Sequence, residues 1–576
     1  MRFLIRKIAL GFACTLLWSS VAACGPAAQP AAPGGGEEAP KAADQQRTLT
    51  TLEDVGQRGG KLSMASAASI FGNPNDPHLV ITSSGRIFSV PVTDGLVKRD
   101  VYDSDLKIIP QLAKSWDIST DGLKYTFKLQ EGVKFHNVAP VNGREFTSED
   151  AKYTLLRITA DPSIVSEKNR PRFQRRVDFG SVKSIETPAK YTLVVNLNEP
   201  YAPFMDSLSH PGTVILPKEF VDKFPDGLVT EGMVGTGPYL PTEFKNQQLM
   251  SFKKNPDYWK KDSKGNQLPY LDEVSFVVFT DEQSRLASFR ARQIDTAPSG
   301  ISASSVDAIK RDIPNAKVLN TPSASVTNYR FNVKAPPFQD VRVRKAIHLA
   351  IERHQMLELL AEGRGFVSGA VTPLFKEQAN TTDWLMSQPG YRKDKKQDIE
   401  EARRLLKEAG YGDGLTINVM HANATTNAGD WLSLFTDQLK PINVTVKGEI
   451  VDYAGVWVPR STNGEFEVSN LGHVFNVDVD SLFSAHLHSK GGRNYGKFSD
   501  AKLDELIDKQ RATINPEERK RLVREAEQHV LDTVPMAFLY QTASTYLVQP
   551  WVHNFTNGPV SGHDYASVET AWVEKH

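Results

Sequence analysis

Polar and apolar residues along this chain switch repeatedly between a period of two and a period near 3.6. Between Lys124 and Gln130, Tyr125, Phe127 and Leu129 share one face and Lys or Thr the other, which predicts a half-buried strand. Tyr191 to Asn198 repeats the pattern through Tyr191, Leu193, Val195 and Leu197. Glu273 to Phe279 is more continuously apolar, and Leu415, Ile417 and Val419 begin a further strand after the turn Gly412-Asp413-Gly414. Helical spacing is as legible. Thr147 stands as N-cap before Ala151, Leu155 and Ile158, and Asp398 opens a helix through Ile399, Ala402, Leu405, Leu406 and Ala409, closed by Gly410. Asn515-Pro516-Glu517-Glu518 combines a cap, an N1 proline and an acidic N3 residue. Its apolar face runs Leu522, Ala526, Val530, Val534, its charged side reads as a solvated face, and Pro535 ends it. Strands and helices mixed over this length predict α/β domains, with ligand clefts between them.

Composition narrows the class. At 576 residues the chain is long enough for two or three domains. Its 68 basic and 68 acidic residues balance, so no basic excess points to nucleic acid. The two cysteines, Cys14 and Cys24, both lie at the N-terminal end. The body therefore has no disulfide framework, no cysteine zinc site and no thiol nucleophile.

The first residues read as an address. Arg2, Arg6 and Lys7 precede a mostly apolar stretch from Ile8 to Trp18, too short for a comfortable membrane span. Val21-Ala22-Ala23-Cys24 then resembles a bacterial lipobox, in which Cys24 is lipidated and becomes the first residue of the mature chain. The alternative is a plain secretory peptide cut at small residues. Residues 1–23 form the signal peptide and residues 24–47 a Pro/Ala/Gly-rich tether that lacks the apolar side chains to fold. No later run of about 18 apolar residues exists, so membrane attachment is expected through the N-terminal lipid alone.

Several motifs follow in a recurring order. Pro110 to His136 reads PQLAKSWDISTDGLKYTFKLQEGVKFH, and Phe146 to Arg157 reads FTSEDAKYTLLR. After them come Pro200-Tyr201-Ala202-Pro203-Phe204, Gly235-Thr236-Gly237-Pro238-Tyr239, Asn255-Pro256-Asp257-Tyr258-Trp259 and Pro269-Tyr270-Leu271-Asp272-Glu273-Val274. Pro337-Phe338-Gln339-Asp340-Val341-Arg342-Val343-Arg344-Lys345-Ala346-Ile347 and Glu408-Ala409-Gly410-Tyr411 complete the set with the Asn515 helix. Asp121-Gly122 is a hairpin turn pair. Gly235 and Gly237 are expected to permit a tight bend before Pro238. Val341 to Ile347 begins a helix with Arg342, Arg344 and Lys345 on its exposed side. From about residue 60 to 555 this order resembles the solute-binding proteins of dipeptide, oligopeptide and nickel ABC importers, bacterial extracellular solute-binding protein family 5.

The resemblance implies an α/β, two-lobed periplasmic-binding-protein-like fold of the class II type, with an extra domain inserted in the first lobe. On that basis residues 48–95, 215–320 and 534–576 form the first lobe, 96–214 the inserted subdomain and 321–533 the second lobe. The lobes close on a solute by a hinge motion. A monomer would then hand it to a membrane permease driven by a separate ATPase, from the outer face of the cytoplasmic membrane or the periplasm. No P-loop is present in this chain, and no cofactor is expected.

The ligand residues depart from the family pattern. In peptide-binding relatives a carboxylate shortly before an Asp-Pro pair receives the peptide ammonium. Here Asp478 matches the aspartate of that pair, Phe475 stands where the carboxylate would, and no acid lies between Gly472 and Asp478. Either Asp478 or Asp480 has taken over, or the solute is not a free-amine peptide. Trp384, Trp431 and Trp457 offer rings that could stack on sugars or peptide faces, and some relatives bind oligosaccharides. Asn328, Tyr329 and Arg330 lie where the family lines its cleft, Ser83, Ser84 and Gly85 occupy a similar place in the first lobe, and Arg460 is a candidate partner for a ligand carboxylate. His486-x-His488 would place two imidazoles on one face of a strand, an incomplete nickel site. A secreted hydrolase is the enzyme alternative, but neither Gly-x-Ser-x-Gly nor His-Glu-x-x-His occurs. A lipid-anchored envelope receptor is a third reading.

Overall fold

The computed structural model describes residues 50–574 apart from 55, 67–75, 80–86, 225–232, 246, 299–300, 376, 424–426, 471–472, 475–477 and 559–565. Cys24, the signal peptide and the tether, Ser83, Ser84, Gly85 and Phe475 therefore lie outside the described residues.

The sequence-predicted elements form where apolar spacing placed them. Strands occupy Lys124–Leu129, Thr192–Leu197, Glu273–Val278 and Leu415–Ala422. The hairpin turn at Asp121-Gly122 uses a left-handed glycine, φ +70°, and Asp121 Oδ1 accepts from the Leu123 amide at 3.0 Å. Helices occupy Ser148–Ile158, with Thr147 as the N-cap of a capping box, and Pro516–Thr533, where Asn515 accepts from the Glu518 amide.

Four local expectations change. The helix read from Asp398 begins earlier, at Lys396–Glu408, and the Asp398 carboxylate is turned inward to the Gly390 amide at 2.9 Å and Lys395 Nζ at 2.9 Å. Val534 is not a helical residue but a left-handed C-cap, φ +46°. Gly235 and Gly237 have ordinary φ; what they provide is room. A Cβ on Gly235 would sit 2.3 Å from the Val92 carbonyl oxygen, and one on Gly237 2.4 Å from the Val92 carbonyl carbon. Arg344 is not exposed: it is buried, and its guanidinium donates to the carbonyls of Phe338 at 2.7 Å, Thr533 at 2.8 Å and Val534 at 3.0 Å. The Thr533 and Val534 carbonyls end the neighbouring Pro516–Thr533 helix, where a cation is favoured.

Among the described residues the frame is a twelve-stranded mixed sheet. Its order is Val444–Val451, Leu415–Ala422, Val468–Asn470, Lys317–Phe331, Met536–Val548, Thr296–Ala297, Lys61–Ser66, Glu273–Val278, Leu249–Lys254 and Tyr239–Lys245, with Gly365–Val367 and His473–Val474 as side branches. A separate four-stranded antiparallel sheet, Ala113–Ile118, Lys124–Leu129, Thr192–Leu197 and Val182–Ala189, packs against the Ser148–Ile158 helix.

The two central strands are long and antiparallel. At one end Lys317 pairs with Val548 and Pro322 with Ala543, beside Thr296–Ala297; at the other Asn328 pairs with Phe538 and Arg330 with Met536, beside Val468–Asn470. Between them the register shifts twice, at Pro322/Val326 and at Val326/Asn328. Pro322 has no amide hydrogen to donate, so the ladder cannot run through it unbroken. Gln541 Nε2 bridges the gap by donating to the Ser323 carbonyl.

Apolar clusters lie on either side of that interruption. One includes Leu62, Met64, Tyr239, Met250, Phe252, Val274 and Phe276 and continues into Tyr125, Phe127, Leu193 and Phe204 of the small sheet. The other includes Tyr329, Phe331, Val343, Ile347, Ile417, Val419, Trp431, Phe435 and Leu539. A third, containing Leu482, Phe483, Leu503, Ile507, Val523 and Phe538, also takes in Leu106.

Candidate functional site

Strand alternation sets the orientation of Asn328, Tyr329 and Arg330. Tyr329 points into the core, stacked on Phe435 with ring centroids 3.8 Å apart and near Trp431. Asn328 and Arg330 occupy the opposite face, and both are buried. The Arg330 guanidinium lies 5.1 Å from the Tyr495 ring centroid and bonds His486 Nδ1 at 3.2 Å. Burial pulls its pKa down to about 10, with Tyr495 acting in the opposite direction and Arg493 adding repulsion.

Asp478 and Asp480 are already engaged. Asp478 receives a two-pronged Arg519 guanidinium, Nη1 to Oδ2 at 2.9 Å and Nη2 to Oδ1 at 2.5 Å, and its Oδ1 also accepts the Asp480 amide at 2.8 Å. Burial raises this carboxyl's pKa, but the Arg519 charge and its hydrogen bonds outweigh that and hold it below the ordinary value. Asp480 accepts from Ser484 Oγ and Gln510 Nε2, both at 2.6 Å, and lies 3.3 Å from Arg511 Nε. For Asp480 burial wins, with the Asp478 charge adding to it, and the pKa is raised. Arg511 in turn lies over the Tyr201 ring at 5.3 Å, and its carbonyl accepts the Ala202 amide at 2.7 Å. These contacts join the ends of the Ala501–Ala512 and Pro516–Thr533 helices to the Tyr201 segment.

The tryptophans separate. Trp431 is core, stacked on Tyr540 with centroids 5.4 Å apart. Trp457 is buried between Tyr453, at 5.8 Å, and Tyr495, at 6.2 Å. Trp384 is half-buried near the start of a short helix capped by Thr381. Arg460 pairs with Glu449 at 2.7 Å, on an open groove of about 800 Å³ whose lining includes Lys334, Asn418, Lys447 and Glu467. The His486-x-His488 pair lies on or just after a helical turn, Phe483–Leu487, not on a strand. His486 faces Arg330, and His488 lies near Asp504 and Asp508. The candidates thus fall into two groups, Arg330 with Trp457 around Tyr495 and Asp478 with Asp480 at the helix ends, while Trp431, Trp384 and Arg460 stand elsewhere. Arg519 and Arg511 were missed by sequence reading, though Arg519 lies on the same helical stripe as Leu522, Val523 and Ala526.

Residues 107–495 match the family described as Bacterial extracellular solute-binding proteins, family 5 Middle. The chain is 27% identical over 481 residues to di/tripeptide-binding protein 1 of Pseudomonas aeruginosa, covering 80% of this chain and 86% of that one. It is also 27% identical over 508 residues to heme-binding protein A of Haemophilus influenzae, covering 85% and 88%. Among solved structures it resembles the periplasmic binding protein DppA from Helicobacter pylori in complex with peptide STSA, with TM-score 0.73, 25% identity and coverage of 90% and 99%. AgaA in complex with agropinic acid, from A. tumefaciens R10, gives TM-score 0.70, 25% identity and the same coverage. With a matched region longer than half the chain and a shared two-lobed α/β fold, the chain belongs to the bacterial extracellular solute-binding proteins, family 5, and is an ABC-transporter solute-binding protein, not an enzyme.

Proposed function

We propose that this protein captures a peptide-like solute in the cell envelope and delivers it to an ABC permease, anchored there by a lipid on Cys24. The observation that carries the reading is the pair of central strands whose register is interrupted between Pro322 and Asn328. A two-strand crossing with a broken ladder is a natural hinge, because bending there sacrifices few hydrogen bonds. The proposed lobes meet at this crossing: residues 48–95, 215–320 and 534–576 on one side, 321–533 on the other, with 96–214 inserted in the first. The Met536–Val548 strand is shared between them, since its first residues pair with the second lobe.

Peptide specificity is supported by the names of relatives such as the di/tripeptide-binding proteins. It is also supported by the burial of Trp431 and Trp457, which leaves neither an open ring face for a sugar. Asp478 is committed to Arg519, so the solute's ammonium, if it has one, is held by another group.

A thermal-shift screen of short peptides and of oligosaccharides tests the reading. A ligand at about 100 times its Kd stabilises by roughly 2.7 kcal/mol. A response to sugars with none to peptides would sink the peptide assignment. Metabolic labelling with palmitate should mark the wild-type chain and not Cys24→Ala; equal labelling of both would remove the anchor.

A further inference from the structure

We propose that the outer strand Val444–Val451 is a self-recognition edge, along which two copies of this chain pair antiparallel about Gly448 into a two-fold dimer. The inference is independent of which solute the protein carries.

Sheet edges expose unpaired N–H and C=O groups, and folds ordinarily blunt them with prolines, bulges or short strands. Among the described residues, three of the four outer strands of the twelve-stranded and four-stranded sheets are blunted in this way. Tyr239–Lys245 contains Pro241 and shifts register between Pro241 and Glu243. Val182–Ala189 contains Pro188 and shifts twice, and Ala113–Ile118 shifts between Ala113 and Ser115. Val444–Val451 has neither device: its eight residues pair with Leu415–Ala422 in one unbroken parallel register. Lys447, Gly448, Glu449 and Ile450 are all exposed along it. Past Val451 the chain turns inward, where Asn423 Oδ1 accepts the Tyr453 amide at 3.0 Å, and the edge stays open.

Backbone parity fixes which groups face outward. The Asn443 carbonyl accepts the Leu415 amide at 3.1 Å, and the Val451 carbonyl accepts the Asn423 amide at 2.9 Å. The N–H and C=O of one strand residue point the same way, and successive residues alternate. Odd-numbered residues from Asn443 to Val451 thus bond to the inner strand, while Val444, Val446, Gly448 and Ile450 direct their amides and carbonyls outward.

In that frame the sequence VTVKGEIV is self-complementary. With the two-fold axis at Gly448, each Gly448 exchanges two hydrogen bonds with the partner's Gly448, and Val446 exchanges two with the partner's Ile450. Lys447 then stands directly opposite the partner's Glu449, in a non-hydrogen-bonded pair, the kind whose side chains lie closest. Symmetry forms the Lys–Glu pair twice. An axis one residue away on either side would oppose lysine with lysine or glutamate with glutamate, which is repulsive. Val446 packs against the core cluster that holds Trp431, and Ile450 is 47% exposed, so the pairing covers an exposed isoleucine with apolar surface. Leu432 fills the space against Gly448, 2.3 Å from where a Cβ would sit, so no side chain fits at the centre. Glu449 holds Arg460 at 2.7 Å, and a carboxylate has two oxygens, so it can also take the partner's Lys447. A second copy is the partner that this pattern specifies, because the same eight residues supply both halves of every pair.

The test is sedimentation of the full-length protein in detergent over about a hundredfold range of concentration. The wild type should pass from monomer to dimer. Lys447→Glu and Glu449→Lys should each weaken self-association by about tenfold or more, because both pairs become repulsive. Mixed together, these two variants should form a heterodimer, and both reversals in one chain should restore the homodimer. Both positions are exposed, so melting temperatures at low concentration should match the wild type. Hydrogen exchange resolved to single residues supplies a second readout. The Val446, Gly448 and Ile450 amides should gain protection as concentration rises, while those of Lys447 and Glu449 are protected throughout. A wild type that stays monomeric overturns the proposal and leaves the edge to an extended segment of some other chain. Association that single charge reversals leave untouched, or that protects amides elsewhere and not these three, overturns it as well.

Discussion

Replacing Asp478 by Asn separates a structural aspartate from a ligand-binding one. Asp478 and Arg519 are both buried and share two hydrogen bonds of 2.9 and 2.5 Å. Removing one member of such a pair costs about 3–5 kcal/mol, mostly from the charge left behind. Arg519 keeps two consolations, the Gln510 side-chain oxygen Oε1 at 3.2 Å from its Nε and the attraction of Asp480. Asp480 is shared with Arg511, so the relief is partial and the expected loss is about 3 kcal/mol, the lower end of that range. Arg519→Met added to Asp478→Asn should recover all but about 1 kcal/mol, because the orphaned cation is gone. Urea unfolding of the four proteins of this cycle measures the energies, and calorimetry with a bound peptide measures affinity. The pH dependence has a defined sign. The folded carboxyl titrates below its ordinary value of 3.8, so its contribution is present above that pH and is lost as pH falls through the folded value. The gap between wild type and Asp478→Asn should therefore narrow below about pH 4. A loss under 1 kcal/mol accompanied by a tenfold or larger fall in peptide affinity would refute the structural assignment, and would return Asp478 to the ligand.

Two further predictions concern residues away from the Asp478–Arg519 pair. Glu527 is enclosed by the Val371 amide at 2.9 Å and Asn380 Nδ2 at 2.8 Å, and burial pushes its pKa from 4.5 up to about 7. The folded state thus keeps a proton that the unfolded state releases, so stability is full below pH 4.5 and falls by about 3 kcal/mol as pH rises to 7. Glu527→Gln should remove that slope in melting temperature between pH 5 and 8; identical slopes in the two proteins would contradict it. Gly237→Ala and Gly132→Ala should differ for a steric reason. The first drives a Cβ to 2.4 Å from the Val92 backbone and should cost about 3 kcal/mol. The second has open space, and its φ of +72° should cost only about 1 kcal/mol in urea unfolding.

How much could be read in advance depended on the range of the forces involved. The strands at Lys124–Leu129 and Leu415–Ala422 and the helix at Pro516–Thr533 are encoded by residues within a few positions of one another, so period and capping located them. The start of the Lys396–Glu408 helix was misplaced because Asp398 has the chemistry of a cap but serves the Gly390 amide across a turn. Arg344 was expected on the exposed side of its helix, and Arg519 was passed over. Both obey the helical stripe: Arg519 precedes Leu522, Val523 and Ala526 on the buried face, and Arg344 follows Val343 into it. A charged residue on an apolar stripe announces a buried partner, and that signal was present in the sequence.

The partner's identity was not. Asp478 lies 41 residues before Arg519, and the Tyr201 segment that packs against Arg511 comes from a remote part of the chain. Nothing in local spacing brings these three together; the large sheet and its two central strands do. The same holds for the surroundings of Arg330. Arg330, Ser469 and Trp457 come from three separate elements and become neighbours only when Val468–Asn470 pairs with Lys317–Phe331 and Trp457 folds over Met420. Sequence comparison with the family pattern asks which acid replaces the missing amine anchor, and directs attention to Asp478 and Asp480. Burial and hydrogen bonding reverse the question, since both acids are already occupied, Asp478 by Arg519 and Asp480 by Ser484 and Gln510.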